Sequence, residues 1–322
     1  MTAFGYHLSA EEHPPDVLVR NAVRAEEAGF DFVTVSDHFH PWVPWQGESP
    51  FVWSVVGALA HATERVSVVT AVTCPTMRIH PAIVAQAAAT SACMLPGRFV
   101  LGLGSGENLN EHVLGLRWPS PPERLEMLEE AIEVIRSLWE GGTKSHRGRH
   151  YTVENARIYT LPERSPPIAV AAAGKVSARL AGRLGDALVG VSSSSATVDV
   201  FREAGGAGKP AYGKLDVCVA PTAEEAVRTA HRWWPNSRFP GQTAVDVALP
   251  EHFAGLAEMV TPDMVTEAVV CGPDPDRIAD RVREYRDGGY DHVVLHQVGP
   301  DQDAFFRAWE DGLRSAVSRA AG

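Results

Sequence analysis

The chain has 322 residues, 45% hydrophobic and 21% charged, the balance of a folded globular protein with room for one large domain or two small ones. Acidic residues outnumber Lys and Arg by 40 to 29, for a net charge of -11, and no Lys/Arg cluster offsets them, which argues against a nucleic-acid surface. No run of about 18 apolar residues is present to span a membrane, Met1–Ala10 lacks the features of a signal peptide, and Cys74, Cys93, Cys218 and Cys271 are too scattered for a CxxC motif and fit a reducing cytoplasm.

In chain order, Phe4–Leu8 reads as a first strand. Pro14-Pro15 opens a helix that runs to Ala28 and stops at Gly29. Phe32–Val35, β-branched and aromatic, is a second, buried strand. A helix over Phe51–Thr63, a third strand over Val66–Ala71, an alanine-rich helix over His80–Leu95 and a fourth strand over Phe99–Leu103 follow. Pro121–Trp139 is a long amphipathic helix, and Thr143–Pro167 interrupts the alternation as a hairpin insertion. Ile168–Ala171 and Ala187–Val191 are the fifth and sixth strands, with a helix to Leu184 between them, and Leu215–Ala220 is the seventh. After a helix over Ala223–Trp234, Pro235–Pro250 reads as a lid or insertion loop, the core of a second insertion near 235–266. Two more helical segments flank a short run at Ala268–Cys271, His292–Val298 is the eighth strand, and Gln302–Ala320 is a terminal helix.

Strands alternating with helices over this length predict a (β/α)8 TIM barrel with insertions, occupying 1–322 as one domain. A doubly wound open sheet is the alternative, but the turn from Gly102 to Gly106 does not spell GxGxxG. The segments Glu26–Asp31 and Arg286–Asp291 both read helix end, glycine, aromatic, Asp, strand, either an internal echo or the reuse of one favourable turn.

A barrel gathers its strand ends at one mouth. There Asp37, His38, His40 and Trp42 would meet Glu107, Asn110, the Ala172–Gly174 turn and His296. An acid, a nearby imidazole and a second acid suit proton transfer at the two ends of one reaction. Glycines 102, 104 and 106 let a flat ligand or a phosphate approach the backbone. Each residue also has a plainer reading: a turn aspartate, a structural histidine, a loop glutamate, a tryptophan packing the rim. His38-x-His40 could start a zinc site, but later strand ends offer few further ligands, so no metal is expected.

Three separated motifs then fall in register. Ser36-Asp37-His38-Phe39-x-Pro41-Trp42, Thr73-x-Pro75-Thr76-x-Arg78-x-x-Pro81-Ala82 and Gly104-x-Gly106-Glu107-x-Leu109-Asn110-Glu111 resemble the coenzyme F420-dependent glucose-6-phosphate dehydrogenase group of the bacterial luciferase-like superfamily. The likeness continues to Ala181-Gly182-Arg183-x-Gly185-Asp186. It implies an enzyme that is usually a homodimer, with the deazaflavin F420 in the barrel mouth. By position, Asp37 would contact the ring, Ala71-Val72 would form a bulge with a non-proline cis peptide behind it, and Cys74, Ser105 and Asn110 would line it. Ala173, Gly174, Val176 and Ser177 would hold the phosphate-bearing tail. Cys74 departs from the threonine usual there. The implied chemistry is hydride transfer between a substrate carbinol and C5. His38 would take the hydroxyl proton, Trp42 would help position the charge, and Glu107 would deliver a proton to N1. Run backwards, it would reduce a carbonyl or an enone.

His40, Val191, Ser194, Glu267 and His296 are the expected substrate contacts. The group's phosphate clamp of two lysines and an arginine is not met. One lysine is Ser194, the arginine is Glu267, and the loop around Thr243-Ala244 supplies no lysine. Lys175 and Arg238 are the nearby cations that could compensate. An unphosphorylated small-molecule substrate is therefore expected. An FMN-dependent monooxygenase of the same superfamily and a non-catalytic flavin-binding protein are the competing readings.

Overall fold

The computed structural model describes residues 2–239 and 241–321. Its elements run β1 (Ala3–Leu8), α1 (Pro15–Glu27), β2 (Phe32–Val35), α2 (Val52–Ala62), β3 (Ser67–Thr70), α3 (Pro81–Met94), β4 (Phe99–Leu103), α4 (Asn108–Glu111) and α5 (Pro121–Trp139). Next come β5 (Lys144–Arg147), β6 (Thr152–Ala156), β7 (Ile168–Ala171), α6 (Lys175–Leu184), β8 (Ala187–Gly190), α7 (Ser195–Phe201), β9 (Ala211–Cys218) and α8 (Ala223–Trp233). The chain ends with α9 (Gly241–Asp246), α10 (Pro250–Ala257), α11 (Pro262–Ala268), β10 (Val270–Cys271), α12 (Pro275–Asp287), β11 (His292–Gln297), α13 (Gln302–Ala308) and α14 (Arg314–Ala321).

Eight parallel strands close on themselves in the order β1-β2-β3-β4-β7-β8-β9-β11, with β11 back on β1. This is the (β/α)8 TIM barrel. β5 and β6 form a separate antiparallel hairpin outside it. Helices start where prolines pre-set the first turn, at Pro15, Pro81, Pro121, Pro250, Pro262 and Pro275. Among the described residues no helix is long and apolar enough to cross a membrane.

Two apolar layers hold the cylinder. The larger lies between strands and helices and includes Leu8, Val35, Leu59, Leu101, Ile135, Val170 and Phe305. The smaller is the plug inside the barrel, built on Phe32, Val69, Ala169, Ala187, Tyr212 and Val294. Gly5 makes room for that plug: a Cβ there would stand 2.3 Å from the Phe32 ring.

β9 starts four residues before the expected Leu215, because Tyr212, Lys214 and Asp216 point into the barrel and break the apolar signature of a strand. The loop expected over Pro235–Pro250 contains α9, and α10 starts at Pro250.

Candidate active site

A cavity of about 660 Å³ opens at the carboxyl ends of the strands. β2 delivers Asp37 and His38 to it, β3 the Ala71–Val72 turn, β4 Gly104 to Glu107, and β7 Ala172 and Ala173. Trp42, Cys74, Asn110, Ser177, Val191 and Glu267 also line it.

At its centre is His38. Its Nδ1 lies 3.1 Å from the His40 carbonyl oxygen. A carbonyl only accepts, so Nδ1 carries a proton, and Nε2 is the nitrogen turned into the cavity. Nε2 lies 3.4 Å from Glu11 and 3.6 Å from Glu107. Glu11 is buried and accepts from Ser36 at 2.5 Å and Ser9 at 3.2 Å. Burial pushes its carboxyl up, but His38 and the Ser36 bond outweigh this and hold it below the usual range. Glu107 goes the other way: burial lifts its carboxyl above the usual range, against the lowering pull of His38 and with Glu11 adding to the rise. Two carboxyls on one imidazole are thus pushed apart, the pattern of an acid and a base set side by side. The Trp42 ring stands 5.1 Å from the His38 ring and meets Phe253 edge-on at 5.4 Å.

Asn110 ties two loops together. Its Oδ1 accepts from the Phe39 and His40 amides at 2.9 and 3.3 Å, and its Nδ2 donates to Glu107 at 3.1 Å. Asp37 is buried and accepts from Thr73 Oγ1 at 2.8 Å and Arg78 at 2.6 Å. Arg78 also faces Glu111, at 3.6 Å. The wall beside these residues is kept flat. Ala71-Val72 is a non-proline cis peptide. A Cβ on Gly104 would stand 2.6 Å from Val72, and one on Gly106, whose φ is +81°, 2.5 Å from Cys74 Sγ. Burial, and then the Glu111 carboxylate, push the Cys74 thiol well up, so it stays protonated.

Several expected residues lie off the cavity wall. His296 is fully buried below it, its ring nitrogens donating to Asp216 at 2.8 Å and Glu12 at 2.9 Å, so it has no face left for a ligand. His40 donates to the Leu109 carbonyl at 2.8 Å and stacks on His112, turned away from His38. Ser194 caps α7, accepting from the Ala196 amide at 3.4 Å. Gly174 sits at the start of α6, and Val176 is exposed over a groove between α5 and α6. Arg238 pairs with Glu267 at 2.7 Å, and Lys175 is exposed at the start of α6.

Sequence reasoning missed Glu11, His7, Lys214, Asp216, Trp234 and Asn236, all of which line the cavity. Glu11 follows β1 by three residues, so the strand-end rule that found His38 would have found it. The inward alternation of Tyr212, Lys214 and Asp216 was the signal for the wall opposite.

The profile of the family described as "Luciferase-like monooxygenase" matches residues 1–292. The chain belongs to the luciferase-like family. It is 36% identical over 322 residues to the F420-dependent glucose-6-phosphate dehydrogenase of Microbacterium testaceum, covering 96% of each chain. Among solved structures it resembles an F420-dependent secondary alcohol dehydrogenase in complex with an F420–acetone adduct, with a TM-score of 0.91 and 32% identity over 98% of this chain and 99% of that one. The F420-dependent tetrahydromethanopterin reductase of Methanopyrus kandleri shares the fold, with a TM-score of 0.79 and 20% identity over 99% of each chain.

Proposed function

We propose that the chain is a coenzyme F420-dependent oxidoreductase that transfers a hydride between the carbinol carbon of an unphosphorylated alcohol and the cofactor, and in reverse acts on a carbonyl or enone. The observation that carries this is His38, with its Nδ1 proton committed to the His40 carbonyl and its Nε2 facing the cavity between Glu11 and Glu107. Full-length likeness to F420-dependent dehydrogenases supports the cofactor assignment.

The residues fit the cofactor. The wall of Ala71, Val72, Gly104 and Gly106 is built from small residues, which suits a flat ring lying against it. Asp37, Cys74, Ser105 and Asn110 would hold the ring beside it, and Ala173, Gly174, Val176 and Ser177 the phosphate-bearing tail. Bound F420 supplies a carbon that accepts a hydride. His38 Nε2 takes the hydroxyl proton as the carbinol is oxidised to a carbonyl, and the Glu11 carboxylate stabilises the imidazolium that forms. Glu107, its carboxyl lifted by burial, would serve as the proton donor to the cofactor, and Trp42 packs His38 in place. Arg238 is engaged by Glu267, so glucose 6-phosphate is expected to be a poor substrate. The enzyme is further expected to work as a cytoplasmic homodimer, which light scattering on the purified protein tests for its oligomeric part.

The experiment is a fluorescence titration with F420 and with FMN, followed by F420 absorbance assays. His38→Ala is expected to cut kcat/KM on the order of 10²-fold or more while F420 affinity stays within about threefold. Failure to bind F420, or turnover untouched by the substitution, refutes the reading.

A further inference from the structure

The β5–β6 hairpin stands outside the barrel and takes no part in the proposed hydride transfer. One of its residues nevertheless reaches the cavity wall from behind. Tyr151, the residue before β6, is buried. It donates its hydroxyl to the Thr76 carbonyl at 3.0 Å and meets the His80 ring edge-on, with centroids 5.5 Å apart. Among the described residues the Thr76 carbonyl has no other hydrogen-bond partner, and no other hydrogen bond joins the hairpin to this segment.

Residues 73–78 carry the wall onward from Ala71-Val72 toward α3. Their inner side is tied to the site. Thr73 Oγ1 donates to Asp37 at 2.8 Å, and the Thr73 backbone pairs with Gly102 and Gly104 of the next strand end. Cys74 lines the cavity, its Sγ 2.9 Å from Thr76 Oγ1. Arg78 donates from its guanidinium to Asp37 at 2.6 Å and from its amide to Glu111 at 2.7 Å. The outer side rests on Tyr151. That tyrosine is fixed in turn by Glu130 of α5, which accepts from the Arg149, His150 and Tyr151 amides at 3.1, 2.9 and 2.8 Å. Three successive amides on one carboxylate set where the tyrosine backbone stands, and its stiff, buried ring then sets where the hydroxyl points.

We propose that Tyr151 is a positioning residue. The hairpin acts as a strut that holds residues 73–78, and with them Cys74 and the Asp37–Arg78 pair, where the cofactor ring lies against them. Without the hydroxyl a buried carbonyl is left unmet, and the segment opens outward to reach water. The part that concerns the cofactor rests on the F420 reading above.

Maleimide labelling with peptide mass spectrometry reads the cysteines separately. Cys93 is exposed, Cys74 lines the cavity within the segment, and Cys218 and Cys271 are buried elsewhere. Tyr151→Phe keeps the ring and loses the hydroxyl. It should raise the Cys74 labelling rate by about tenfold while Cys218 and Cys271 stay within about twofold. F420, followed by fluorescence titration, should bind about fivefold more weakly, with kcat at saturating F420 within about twofold. Glu130→Ala, which frees the hairpin without touching the cavity, should move Cys74 labelling and F420 affinity the same way. A Cys74 rate unmoved by Tyr151→Phe, a joint rise at Cys74, Cys218 and Cys271, or an unchanged F420 affinity overturns this inference and leaves the cofactor reading standing. Absence of F420 binding by the unsubstituted protein overturns the cofactor reading, and Cys74 labelling then decides the strut alone.

Discussion

Replacing His296 by leucine tests the charged clamp beneath the cavity. The His296 and Glu12 side chains are both fully buried, and one ring donates to two carboxylates, so the imidazole carries both protons and a positive charge. Leucine fills the space but leaves Glu12, among the described residues, with only the Gly299 amide, at 2.9 Å. Removing one partner of such a buried set costs about 3–5 kcal/mol. Unfolding entropy of about 2.1 cal/mol/K per residue gives this chain about 0.7 kcal/mol/K, so Tm should fall by about 4–7 °C. The pH dependence is diagnostic. Burial and the Lys214 charge lower the His296 pKa, but its bonds to Asp216 and Glu12 outweigh them and raise it above 6.5. A raised pKa stabilises fully below the unfolded value and fades as pH climbs through the folded one. For Asp216, burial pushes the carboxyl up, but Lys214 and His296 hold it well below 3.8, so its share is present above 3.8 and fades as pH falls through the folded value. The clamp is therefore complete between about pH 4 and 6.5. Thermal melts followed by circular dichroism at about pH 5.5, 7 and 9 should show the deficit of His296→Leu widest at the lowest of these and narrowing upward. A deficit as large at the top of that range as at the bottom, or a Tm change under about 2 °C, refutes the charged clamp.

Two further substitutions probe the site itself. Burial lifts the Glu107 carboxyl above its usual range, so as an acid it stays protonated to higher pH than an ordinary glutamate and fails as pH rises through that lifted value. Glu107→Gln should cost on the order of 10²-fold in kcat and erase this alkaline limb, and a variant profile that keeps the limb removes Glu107 from the acid role. Gly106→Ala places a side chain at φ +81° with its Cβ 2.5 Å from Cys74 Sγ. It should destabilise the fold by about 1–3 kcal/mol and weaken F420 binding by about tenfold, with fluorescence titration and melting as readouts. Unchanged F420 affinity would mean that the flat wall is not the ring's seat.

What was legible from the chain, and what was not, follows from how far apart interacting residues lie. The Val-rich buried strands at Phe32–Val35, Phe99–Leu103 and Ile168–Ala171 announce themselves, because a parallel strand covered on both faces must be apolar throughout. β9 hid its first half because its inward side chains are a tyrosine, a lysine and an acid, which serve the cavity rather than the core. His38, Trp42 and Glu107 could be found because they stand directly after a strand and because the residues around them form motifs.

His296 obeyed the same positional rule and led elsewhere. Its surroundings are set by Glu12, separated from it by 284 positions, and by Asp216, separated by 80. Arg238 offered a free cation in the sequence, and Glu267 spends it in the fold. Residue type fixes which charges a site can contain, but only the pairing decides which of them a substrate meets. In this cavity that pairing leaves no lysine or arginine among the described residues free to meet an anion. Exchanging Arg238 for alanine would therefore not open space for a phosphate: it would leave the Glu267 carboxylate uncompensated on the cavity wall and turn anions away.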